Sequence, residues 1–226
     1  MRIWKAVGAA AVALGALTAC GGVQGAGLFV GGERISEDVV DGYVDELATI
    51  QTEQGGGDLA GHDYSQERVA VVEFLVMAEL GRELELDRPD GAGDDINGLY
   101  AEYTSYLGQL SEDAEPRELT DSEFESLFEA VSSDEQVNQR VVSEWIESSG
   151  LSDAELQELS AASQTDPTIF EEIVRQWSAN QGAALAGLSD DLNEYVEEYD
   201  ITSSPRYGEA AVTVLPGVWE IAIPQR

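Results

Sequence analysis

The chain of 226 residues has one cysteine (Cys20), one histidine (His62) and one lysine (Lys5). A lone cysteine excludes an internal disulfide, so the folded part depends on its core. A lone histidine with no thiol beside it leaves nucleophile–histidine triads and histidine-rich zinc sites without a partner, and His62, in the Gly/Asp-rich "QGGGDLAGHDYS", reads as a solvated loop residue. The glycine clusters Gly31–Gly32 and 55–57 lack the spacing and the lysine of a phosphate loop. "DRPDGAGDDING" places Asp95 and Asn97 before Gly98, but glycine stands at 93 where a calcium loop needs an aspartate, and the closing glutamate is missing. No catalytic constellation, metal site or cofactor site is predicted.

Cations are scarce as well: 11 against 45 acids, a net charge of −34. Such a field repels nucleic acid and anionic head groups, so neither is expected as a partner of the folded part. The acids are spread along the whole chain, as on a solvated surface, and pairs such as Asp94–Asp95, Asp190–Asp191 and Glu171–Glu172 arise by chance at this density.

The one long apolar run opens the chain. "MRIWKAVGAAAVALGALTA" has two cations, a run too short to span a bilayer and small residues at its end, the pattern of a secretory signal peptide over 1–19. Leu17, Thr18, Ala19 and Cys20 resemble the bacterial lipobox, which implies cleavage before Cys20 and diacylglycerol on its thiol, with further acylation such as palmitate. A thiolate suits that transfer, and two or three chains hold a domain at a membrane stably. Cleavage leaves nine cations against 45 acids, a charge of −36. Residues 20–27 read as a lipidated tether, and 28–226 as the folded domain.

The domain reads as mainly α, a multi-helix body with a small β element formed by an N-terminal strand and a C-terminal hairpin. Leu28 to Val30 form the strand, Gly31–Gly32 a turn, and Ser36 caps a helix whose stripe is Val40, Tyr43, Val44, Leu47 and Ile50. Val69 to Ala78, polar only at Glu73, predicts a central helix. The next helix presents Ile96, Leu99, Tyr100, Tyr103, Leu107 and Leu110.

Capping boxes are expected at Thr120/Glu123, Ser133/Gln136 and Ser152/Glu155, and Thr165 or Asp166 is expected to cap a helix opening at Pro167. Gly182 and Gly187 weaken the end of that helix, and a last one carries Leu188 to Tyr199. "AAVTVLPGVWEIAI" alternates about Pro216–Gly217 as a hairpin, which Leu28 to Val30 should join, a lone hairpin being marginal.

Two stretches carry a resemblance. "LFVGGERISEDVVDGYVDEL" resembles the opening of the SurA/PrsA-type extracytoplasmic chaperones, and "DITSSPRYG", residues 200–208, is similar to the closing element of the SurA N-terminal-like lipoproteins of actinobacteria. The resemblance implies that the N-terminal strand packs with the C-terminal segment beside a helical body that binds unfolded or nascent envelope proteins. Relatives with isomerase activity carry a parvulin domain of about a hundred residues, a common small-domain length. Only five residues separate Tyr199 from Pro205, so no isomerase is expected, and for want of a catalytic constellation no other enzyme is.

The function expected is therefore a holdase without chemistry, lipid-anchored at Cys20 on the extracytoplasmic face of the cell membrane. Candidate client-binding residues are Phe74, Met77, Trp145 and Trp177, all on helical stripes where core packing is the competing role. A solute-binding lipoprotein or a structural partner subunit of an envelope complex are the alternatives.

Overall fold

The computed structural model of the protein describes residues 25–53, 64–152, 154, 155, 159 and 167–226. Leu17, Thr18, Ala19, Cys20, His62 and the expected cap at Thr165 or Asp166 lie outside them. Mainly helical, the body carries two small antiparallel sheets.

Strand β1 (Ala26–Val30) turns at Gly31, φ +59°, into β2 (Glu33–Ser36), and its other edge takes β3 (Thr202–Ser203). The registers are Val30 opposite Glu33, and Leu28 opposite Ser203. The expected partner of β1, the C-terminal hairpin, instead forms its own sheet from β4 (Ala211–Leu215) and β5 (Trp219–Ala222). Closing a two-residue turn costs far less chain entropy than pairing across the whole sequence, so "ERIS" folds back on β1. The hairpin's tail meets the first sheet, where Ser203 N–H donates to the Pro224 carbonyl at 2.8 Å. Two residues expected in the tether, Ala26 and Gly27, belong to the fold instead: β1 begins at Ala26, and Gly27 is buried.

Helix α1 (Glu37–Glu53) follows β2 directly, with Glu37 and Asp38 in its first turn, and buries Val40 and Val44. Helix α2 (Ser65–Glu83) is the central helix: Val71, Val72, Leu75, Val76, Met77 and Leu80 are buried between α1, β1, β4 and α3 (Ile96–Asp113). The face of α3 differs from the expected stripe, for Tyr100 is 53% exposed while Tyr106 and Glu102 are buried. Gly81 makes the room: a Cβ there would stand 2.3 Å from the Tyr106 ring. Arg88 Nε (2.6 Å) and Arg82 Nη2 (3.1 Å) meet the Glu102 carboxylate, compensating its burial.

A second helical layer comprises α4 (Asp121–Ser133), α5 (Glu135–Ser149) and α6 (Pro167–Trp177). The Thr120/Glu123 capping box forms as expected. At the next start the cap is Asp134 rather than Ser133: its Oδ1 accepts from Gln136 N (2.8 Å) and Val137 N (3.2 Å), while the Ser133 hydroxyl donates to the Glu129 carbonyl within α4. A single residue joins the two helices, and only the one outside both can cap. Ser152 N donates to Glu155 Oε2 at 2.9 Å.

Nor does the helix end at Gly182 or Gly187. Residues Ser178–Gly182 form a π turn, and α7 (Ala183–Glu198) continues from it as one rod. Both glycines serve close packing. A Cβ on Gly182 would lie 3.2 Å from the Trp177 ring, and one on Gly187 2.1 Å from the Glu115 carbonyl oxygen. Packing compensates the intrinsic helix cost of glycine. One contiguous core runs from Leu28 to Ile223. Among the described residues no helix is long and apolar enough to cross a membrane.

Candidate functional site

The loop between α3 and α4 is pressed onto α7 at Gly187 and held there by Arg117, whose N–H donates to the Ala183 carbonyl at 3.0 Å. The Arg117 guanidinium grips Glu123 through Nη1 (2.9 Å) and Nη2 (2.7 Å), and Asp190 through Nε (2.5 Å). Forked, charge-assisted bonds of this kind fix direction as well as distance. Trp219 Nε1 donates to the same Glu123 at 3.1 Å, and the Arg117 fork above all holds that carboxyl well below the usual carboxylate range. The start of α4 is thereby fixed against α7.

Between α4 and the π turn this arrangement leaves an open cavity of about 680 Å³, lined by Leu119, Phe124, Arg175, Ser178 and Ala183 and by the acids Glu118, Asp121 and Glu125. All three acids are exposed and carry no ion pair among the described residues. The Arg175 guanidinium sits 4.6 Å from the centre of the Phe124 ring and pairs with Glu171 at 2.7 Å. From Phe124 a row of half-buried rings leads along the layer: Phe124 to Phe128 at 6.5 Å, and Phe128 to Phe170 at 6.1 Å. A second cavity, of about 450 Å³, opens between α5 and α6 over Trp145, Leu159, Ile169 and Ile173.

The four sequence candidates do not converge here. Met77 and Trp177 are fully buried, and Trp177 Nε1 donates to Glu144 Oε2 at 2.9 Å, so both are core side chains in this conformation. Phe74 belongs to a separate aromatic group, 5.4 Å from Tyr100 and 4.9 Å from Tyr103. Only Trp145 borders a cavity of the three-helix layer, its Nε1 donating to Gln176 Oε1 at 3.1 Å. Phe124, Phe170 and Arg175 do not stand out in the sequence, because each reads as an ordinary member of a helical stripe or face. The sequence carries one signal: three of the five phenylalanines, Phe124, Phe128 and Phe170, lie on α4 and α6.

Five of the six carboxylates in the sequence pairs, all but Asp191, have structural partners among the described residues. Asp95 caps α3, Asp94 lies 3.6 Å from Arg88, Asp190 belongs to the Arg117 clamp, Glu171 pairs with Arg175, and Glu172 accepts from Gln176. Glu73, between α2, α3 and β4, accepts from Thr213 N (2.7 Å) and the Tyr103 hydroxyl (3.1 Å); burial pushes its carboxyl up, against the lowering effect of those bonds. Among the described residues no three His, Cys, Asp or Glu side chains are grouped to hold a metal ion.

At the chain ends, the 205–208 element lies on β1. Ser204 N donates to the Gly27 carbonyl at 3.0 Å, Arg206 Nη1 to Glu37 Oε2 at 2.6 Å, and Tyr207 is buried against Gly27 and Val40. Compared with protein-family profiles, with curated proteins and with solved structures, the chain matches none.

Proposed function

We propose that this protein is a lipid-anchored extracytoplasmic holdase, attached to the cell membrane through Cys20, which binds unfolded or nascent secreted polypeptides and performs no isomerase chemistry. The observation that carries the reading is the partly buried row Phe124–Phe128–Phe170, whose first ring lines an open cavity, on a helical layer that holds a second cavity between α5 and α6. Aromatic surface that the fold leaves partly open is where an extended apolar segment gains contact area, and the acidic surround keeps the complex soluble. Trp145 is the sequence candidate that borders a cavity of that layer.

The seating of residues 205–208 on β1 supports the same reading, since it brings the two chain ends together as the resemblance to SurA N-terminal-like lipoproteins implies. Light scattering of a denatured client diluted with and without the full chain, at two salt concentrations and beside an equally acidic inert protein, tests it. Suppression beyond the inert control is expected. Suppression equal to that control at both salts would reduce the effect to charge and redirect attention to a dedicated partner or solute.

A further inference from the structure

The chain is poor in cations, yet one of its few arginines lies on an aromatic ring at the cavity between α4 and the π turn. Arg175 covers the Phe124 face at 4.6 Å, with Glu171 as its counter-ion, and the three acids of the rim, Glu118, Asp121 and Glu125, have no ion pair among the described residues. Ring face and carboxylates together make a setting in which a guanidinium or ammonium group is favoured from two directions, by the ring quadrupole and by opposite charge. The π turn supplies the far wall through Ser178 and Ala179, and such turns are frequent at functional positions. The apolar row through Phe128 and Phe170 begins at the same ring.

We propose that this cavity is a recognition site for a basic side chain of an extended polypeptide, with neighbouring apolar residues of that segment lying along Phe128 and Phe170. The inference rests on the holdase reading and gives its clients a chemistry: segments in which arginine or lysine is interleaved with apolar residues. Arg175 is the resident occupant of the ring face, and an incoming cation takes its place or stacks beside it. Segments carrying acids in the same pattern are rejected by the rim.

Fluorescence anisotropy with the full chain tests this, using two peptides of equal length, one alternating leucine with arginine and the other leucine with glutamate. The basic peptide is expected to bind and the acidic one to fail. Neutralising the rim (Glu118→Gln, Asp121→Asn, Glu125→Gln) should weaken binding about tenfold, as three partly screened charge contacts allow. The same number of charges removed at the other end of α7 (Glu194→Gln, Glu197→Gln, Glu198→Gln) should change it less than about twofold, because screening confines surface charge to about 10 Å. Arg175→Gln, which frees the ring, should tighten binding by about threefold, a gain that misfolding does not produce.

Equal loss from the two triple variants, or no change in Arg175→Gln, overturns the site in favour of a diffuse field. Equal binding of both peptides overturns the basic preference while leaving the holdase reading standing. Failure of both peptides, together with no suppression of client aggregation, overturns that reading as well.

Discussion

The hydroxyl of Tyr207 stands where the first side-chain atom of a larger residue at position 27 would have to go: a Cβ on Gly27 would lie 2.6 Å from it and 3.2 Å from Val40 Cγ2. Tyr207 is buried, its hydroxyl has no hydrogen-bond partner among the described residues, and burial pushes its ionisation up to about 12. The contact locks the first strand under the closing element.

Gly27→Ala should therefore destabilise the fold by about 2 kcal/mol through overpacking. Tyr207→Phe removes a buried hydroxyl that makes no bond and should stabilise by about 1 kcal/mol. The double variant should recover part of the Gly27→Ala loss, because the atom in closest conflict is gone. Urea unfolding of the four proteins forms a double-mutant cycle, and strict additivity would count against the contact.

Glu73 gives a prediction with a definite sign in pH. Burial raises its carboxyl above the ordinary 4.5 in the folded state, so over the window from 4.5 up to the raised value the folded form holds more proton than the unfolded one. Its contribution to stability is present below that window and is lost as pH rises through it. Glu73→Gln keeps an acceptor for Thr213 N–H and the Tyr103 hydroxyl without the charge. It should raise the melting temperature at pH 7 and give a smaller gain at pH 4.5. An equal gain at both values would mean that the charge is not what matters.

How far the sequence foretold this structure depends on the range of the interactions. Caps and stripes are local, and Thr120/Glu123, the Val40–Val44 face and the burial of α2 on most sides are legible from spacing. Gly81 and Gly187 were not, because each is defined by a segment distant in sequence, the Tyr106 ring and the Glu115 carbonyl. The same holds for β1, whose alternation shows a strand but not its partner. The cavity over Phe124 depends on Arg117 reaching Asp190 across 73 positions, and no period in the chain encodes that.

The Arg117 clamp should discriminate between arginine and lysine. Lysine keeps the charge but cannot make the forked contact with Glu123 while also holding Asp190. Arg117→Lys should cost about 1 kcal/mol, and Arg117→Ala more, since the latter leaves Glu123 without its cation. Glu123 is held low, chiefly by Arg117, so its contribution is present above about 4.5 and is lost as pH falls through its depressed folded value. Acid unfolding should accordingly begin at higher pH in Arg117→Ala than in wild type. Coincident acid transitions would show that the clamp does not carry that stability.

Cys20 supplies the last prediction. Strand β1 begins at Ala26, six residues beyond Cys20, a reach of at most about 20 Å for an extended chain. A lipid on Cys20 would hold the body close to the bilayer, with the β1 clasp nearest the attachment point. Because Cys20 precedes every described element, Cys20→Ala should leave the melting temperature unchanged while moving the protein from the membrane to the soluble fraction. Metabolic labelling with palmitate should disappear in the same variant. Retention at the membrane with labelling lost would separate acylation from anchoring, and the folded body itself would then have to contain the membrane-binding surface that its −36 charge argues against.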